Sequence, residues 1–207
     1  AGGTLGGSGS ARLATAAVAP GGSVEGGCDG SGSLTLGALN FAGSGTNKIA
    51  NIGNYTAVAA IIVTNNNGLV PGGGAGSVTI KLSGAALGSG TAHLIQYAGA
   101  IGGGGFGAFA LDTSEVVGTA ARSSFILVNN PPYVDLSYTV DYVVWSGTGD
   151  GTWTNAGSIS PVTPPTNWRL ASNPSASANF VNGDATLFDD SVAGWTNANI
   201  GVSDVSP

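Results

Sequence analysis

Short apolar segments punctuated by glycine-rich runs fill the first two thirds of the chain. Residues 33–36, 57–63, 78–82, 94–97 and 125–128 are rich in Leu, Ile, Val and aromatic side chains and predict β-strands. The intervening runs 43–47, 65–68, 71–74 and 102–105 consist mostly of Gly, Asn, Ser and Pro and predict turns. The longest alternation lies at 134–144. Val134, Leu136, Tyr138, Val140, Tyr142 and Val144 share one face, and Asp135, Ser137, Thr139 and Asp141 share the other. A period of two sustained this far predicts a long, half-buried strand. No segment carries a helical period. The Ala-rich stretch 11–19 comes nearest, but it has neither a cap nor charge pairs, so no helix is predicted.

Composition narrows the class. Of 207 residues, 37 are Gly, and 8% are charged against about 25% in average usage. Five basic residues, Arg12, Lys48, Lys81, Arg122 and Arg169, are scattered singly. Nucleic-acid binding is therefore excluded, because it draws on clustered cations. The longest apolar run, 57–63, is far short of a membrane-spanning helix, so no membrane insertion is expected. One cysteine, Cys28, excludes a disulfide framework. Leu, Ile, Val and Phe suffice for a core, though a thin one. A chain that starts at Ala1 rather than Met reads as a processed chain or a fragment.

Charge divides the sequence in two. Acidic and basic groups balance before residue 131, so the net charge of −6 falls in the last third, which carries Arg169 and seven Asp. All four Trp (145, 153, 168 and 195) lie there, whereas most Gly lie before residue 111. The predicted organisation is a Gly-rich β region at 1–142 followed by a Trp/Asp-rich β module at 143–207. Small residues with short β segments suit a parallel β-solenoid. Gly and Asn turn its tight corners, and charged side chains would repel one another down the stack. The alternative is a β-sandwich with long loops.

Several motifs point to a family. They include Gly2–Gly9 (GGTLGGSG), Val18-Ala19-Pro20-Gly21-Gly22-Ser23, Gly32-Ser33-Leu34-Thr35-Leu36, His93-Leu94-Ile95-Gln96-Tyr97 and Val144-Trp145-Ser146-Gly147. Gly151-Thr152-Trp153, Asn167-Trp168-Arg169-Leu170, Asn182-Gly183-Asp184-Ala185 with Phe188-Asp189-Asp190, and the terminal Val202–Pro207 (VSDVSP) follow. In this order the chain resembles the passenger regions of autotransporter proteins built from autotransporter-associated β-strand repeats. The resemblance implies a right-handed parallel β-helix, exported to the bacterial cell surface, with no catalytic residues. It departs from the family in size and in lacking a membrane barrel.

Candidate chemistry is sparse. A Ser-His-Asp triad would have to use His93, the only histidine, and no nucleophile elbow surrounds any serine. Asp189 and Asp190 would oppose each other in a strand, whereas Asp184 and Asp190 would share a face. A polysaccharide lyase or hydrolase is the enzymatic alternative; the expectation is no enzyme. For Ca²⁺, Asp150, Asp184, Asp189 and Asp190 offer oxygen ligands, in an order that matches neither an EF-hand nor a nonapeptide repeat. Asp in Gly-rich turns also serves ordinary turn chemistry. The four Trp read either as a sugar-stacking platform or, with more support, as the core of the second module.

Unlike, uncapped solenoid ends favour head-to-tail contact through strand edges. The expected role is a non-enzymatic subunit of an extracellular bacterial surface fibre or adhesin, with a second copy of itself as partner. The alternatives are a segment of a giant single-chain adhesin and a polysaccharide-binding module.

Overall fold

The computed structural model describes residues 3–85, 89–117, 122–153, 155–162, 164, 166–189, 191, 194 and 196–200. The protein is all-β, with 54% of residues in strands and 4% in helical turns, and its sheets are mostly parallel. It divides into two compact units. The first holds the residues up to 117 together with Phe125–Tyr138, and the second holds Arg122–Ser124 and the described residues from Thr139 onward.

The strands of the first unit are β1 (Thr4–Gly7), β2 (Ser10–Val18), β3 (Gly22–Gly26), β4 (Leu34–Phe41), β5 (Gly45–Ala50) and β6 (Ile61–Asn66). They continue with β7 (Leu69–Pro71), β8 (Val78–Ala85), β9 (Gly90–Ala98), β10 (Phe109–Val117), β11 (Ser123–Asn130) and β12 (Tyr133–Val140), the first two residues of β11 and the last two of β12 being counted with the second unit. Through the first ten strands the chain shuttles between two sheets. One runs β1-β3-β5-β8-β10, parallel throughout. The other runs β2-β4-β6-β9, also parallel, with β7 beside β4. It then ends on β12, antiparallel to β9, and on β11. Only Pro131 and Pro132 separate β11 from β12, a link short enough only for an antiparallel hairpin.

Stacked registers explain why so small a vocabulary makes a core. In the second sheet Leu34, Ile61, Ile95 and Val134 are successive partners, each at most 7% exposed. Ala16, Leu39 and Leu69 form a further buried column. In the first sheet the column is Val24, Asn47 and Ile80, all fully buried. The outward column is Glu25, Lys48, Lys81 and Asp112, which puts opposite charges next to each other at both ends. Gly45 is required where it stands, because a Cβ there would run into the Phe41 ring.

The structure differs from the sequence expectations at several places. The Ala-rich stretch that came nearest to a helix is strand β2, whose small side chains lie along β4. Residues 45–47, read as turn, open β5, because partners on both sides supply its backbone bonds. The segment at 134–144 is not one strand. It stops at Val140 and resumes as β13 (Val143–Trp145). Asp135, expected on a solvent face, keeps that face, opposite His93, but is 1% exposed because His93 and Asn130 cover it and bond both its oxygens; the extra residue at the register shift, Leu94, lies on β9. Two short 3-10 turns, Ile52–Tyr55 and Phe106–Ala108, were not expected.

The second unit has little regular structure. Strands β14 (Thr152–Trp153), β15 (Trp168–Leu170), β16 (Ser177–Ala178), β17 (Thr186–Leu187) and β18 (Asn199–Ile200) join β13 in two small sheets, β16-β15-β13-β17 and β14-β18. Its cohesion comes from aromatic packing and buried polar clamps.

Candidate functional site

Trp145, Trp153 and Trp168 are 0%, 8% and 3% exposed and pack with Phe180. Ring centroids within this group lie 5.1–5.6 Å apart, mostly edge to face. These three Trp are core and do not form a platform. Trp195 lies outside the described residues. Phe188 lies over the cluster, 5.8 Å from Trp145, and is half exposed.

Beside this core, Asn167 is 2% exposed and uses its whole amide. Its Oδ1 accepts from the Gly149 and Gly151 amides at 2.9 and 3.1 Å. Its Nδ2 donates to Asp150 Oδ1 and to the Thr152 carbonyl, both at 2.9 Å. One side chain therefore fixes the 147–152 turn. A cavity of about 280 Å³, lined by Asp150, Thr152, Asn167, Trp168, Asn179 and Phe180, opens beside it.

The cation-ligand candidates are placed separately. Asp150 caps its own turn. The Thr152 amide and the Asn167 side chain, in that order, hold its carboxyl below the usual range. Asp189 is likewise lowered, first by the Ser191 hydroxyl and amide and then by Arg169, 3.7 Å away. Asp184 is fully buried and paired with Arg122. Arg122 Nε donates to Asp184 Oδ1 and Nη2 to Oδ2, each at 3.1 Å, and Nη2 also reaches the Asn179 carbonyl. The Val181 amide donates to Asp184 Oδ2 at 2.9 Å. A guanidinium thus occupies the place a cation would take on Asp184. Asp190 lies outside the described residues. Among the described residues, no three His, Cys, Asp or Glu side chains converge as metal ligands.

In the first unit His93 Nδ1 donates to Asp135 Oδ1 at 2.7 Å, and Asn130 Nδ2 donates to Asp135 Oδ2 at 2.8 Å. Tyr133 stacks on the imidazole with centroids 4.1 Å apart. The arrangement satisfies a buried carboxylate at the β9–β12 bulge. Cys28 is exposed in a tight turn closed by its own backbone bonds to Ser31.

The remaining chemistry is that of strand edges. Among the described residues, no strand pairs with the outer sides of β1, β2, β10 and β11. By the pairing directions above, β1 runs parallel to β10, and β2 to β11. No helix among the described residues is long and apolar enough to cross a membrane.

Comparison with protein-family models, with curated proteins and with solved structures finds no match.

Proposed function

We propose that the protein is a non-enzymatic structural unit of a bacterial extracellular fibre or adhesin, its first unit wound as a parallel β-solenoid that joins further copies head to tail. The observation that carries this reading is the shuttling of the first ten strands between two sheets, parallel through those strands, whose outermost strands run the same way at both ends. An added copy could therefore extend a sheet with its strands running the way the outermost strand already runs. The motif resemblance to autotransporter passengers supports surface display. Electron microscopy of native material tests the reading, alongside a denaturing gel with and without boiling. Uniform filaments that release a band near the 20.0 kDa chain mass support it. Single rods with a far larger band would mean one giant chain, and dispersed monomers would refute assembly.

A second reading is favoured by the cavity beside Asn167, where amides, a carboxylate and aromatic edges meet. Such a lining suits a glycan. Binding of the intact protein to a glycan panel, lost on Asp150→Ala, would support it.

A further inference from the structure

The four terminal strand edges are not equally guarded. Natural sheets blunt their edges with short strands, bulges and charges. Strand β1 has four residues, two of them Gly. Strand β10 shifts register between Asp112 and Glu115 and carries both charges. Strand β2 shifts register between Ala11 and Thr15, with Arg12 in the irregular part, but is regular from Thr15 to Val18. Strand β11 carries neither charge nor Pro, and it exposes Ile126 (60%) and Val128 (38%). The β11–β12 hairpin also extends its sheet one strand further than β10 extends the other.

The opposite end carries a matching feature. A cavity of about 480 Å³ opens between β1 and β2, lined by Leu5, Ala16, Ala17, Val18, Pro20 and Ser23. The regular stretch of β2 forms one wall. Leu5 is 46% exposed there, although its successors in the same inward column are fully buried. The column therefore ends open at this face.

We propose that the overhanging edge of β11, over 125–130, docks on the Thr15–Val18 edge of β2 in a second copy of this chain. Both strands run the same way, so the joint is parallel, like the β2–β4 ladder behind it. Neither segment carries a charge, so nothing repels. The contact is heterologous, an edge against a different edge, and therefore repeats without closing. Because β11 overhangs, the joint forms on this sheet while bulged, acidic β10 stays outside it. The proposal rests on the head-to-tail reading and names the joint.

Two blocked copies test it. Ile126→Lys/Val128→Lys blocks the β11 edge, and Ala17→Lys, at an exposed cavity-lining position, blocks the other. Circular dichroism checks that both fold. In sedimentation velocity the unaltered protein should form concentration-dependent chains, and each variant alone should associate at least about tenfold more weakly. An equimolar mixture should give dimers and nothing longer, because one intact joint remains between unlike copies. Chains that persist in both variants would overturn this joint and leave assembly standing. Dimers of Ala17→Lys alone would mean a two-fold β11–β11 contact and also overturn it. A wild-type protein monomeric at millimolar concentration would overturn both readings.

Discussion

The Arg122–Asp184 pair gives the sharpest stability prediction. Asp184 is fully buried and the Arg122 side chain is 8% exposed, so both charges have left water. Arg122→Ala removes the donors from Nε and Nη2 and leaves the carboxylate with the Val181 amide. Breaking a buried pair from one side costs about 3–5 kcal/mol, because the remaining charge is uncompensated. That is a large part of the 5–15 kcal/mol that holds a typical domain folded. All four Trp belong to the second unit, so Trp fluorescence follows its unfolding alone. With a urea slope of about 1 kcal/mol per molar for so small a unit, the midpoint should fall by about 3 M or more. The double variant Arg122→Met/Asp184→Leu removes both charges and should recover most of the loss. A midpoint shift below about 1 M for Arg122→Ala, with the slope unchanged, would refute the pairing as a buried lock.

Other outcomes follow from the same geometry. Asn47 is fully buried in the Val24–Asn47–Ile80 column, and its amide nitrogen and oxygen have no hydrogen-bond partner among the described residues. Asn47→Leu should therefore raise stability, by about 1–3 kcal/mol, measured by calorimetry on the thermal transition. Asn167→Ala should cost roughly 3 kcal/mol or more, since it strips four bonds from the 147–152 turn; hydrogen exchange at the Gly149 and Gly151 amides should speed up first. Asp150 and Asp189 both have folded-state values below their ordinary ones, so the folded chain binds fewer protons than the unfolded chain in the acid range. Their contribution is present above the unfolded value and is lost as pH falls through the depressed folded values. The urea midpoint of the second unit should thus drop as pH falls below about 4, and less so in Asp150→Asn.

Bulky strands were legible and small ones were not. Residues 78–82 and 94–97 fall inside β8 and β9, because a buried column needs large apolar side chains, and residues 125–128 fall inside β11. Strands β1, β2, β3 and β5 are built mostly of Gly, Ala, Ser, Thr and Asn, a mixture with no consistent strand preference of its own. Their conformation comes from ladders to partners remote in sequence, which no window along the chain reveals. The Trp core was legible because the second unit has few other large side chains. The Arg122–Asp184 lock was not, since 62 positions separate its members. Asp135 misled for another reason: alternation assigned its face correctly, but a face is not exposure, and side chains from remote positions, His93 on β9 and Asn130 on β11, cover the carboxylate there.

The order of strands also sets how the chain can begin to fold. In the parallel ladders each strand finds its partner only after a full excursion through the other sheet, as Thr4 does with Ser23 and Ile61 with Ile95. Each such pairing must close a long loop before any contact rewards it. The β11–β12 hairpin alone joins neighbours through two residues. A chain made this way has a ready nucleus near its middle, and growth proceeds from there toward the amino terminus. Strand β9 docks on the hairpin first, and β2 is placed among the last. Substitutions on β12 should therefore slow folding, whereas equally costly ones on β2 should mainly hasten unfolding.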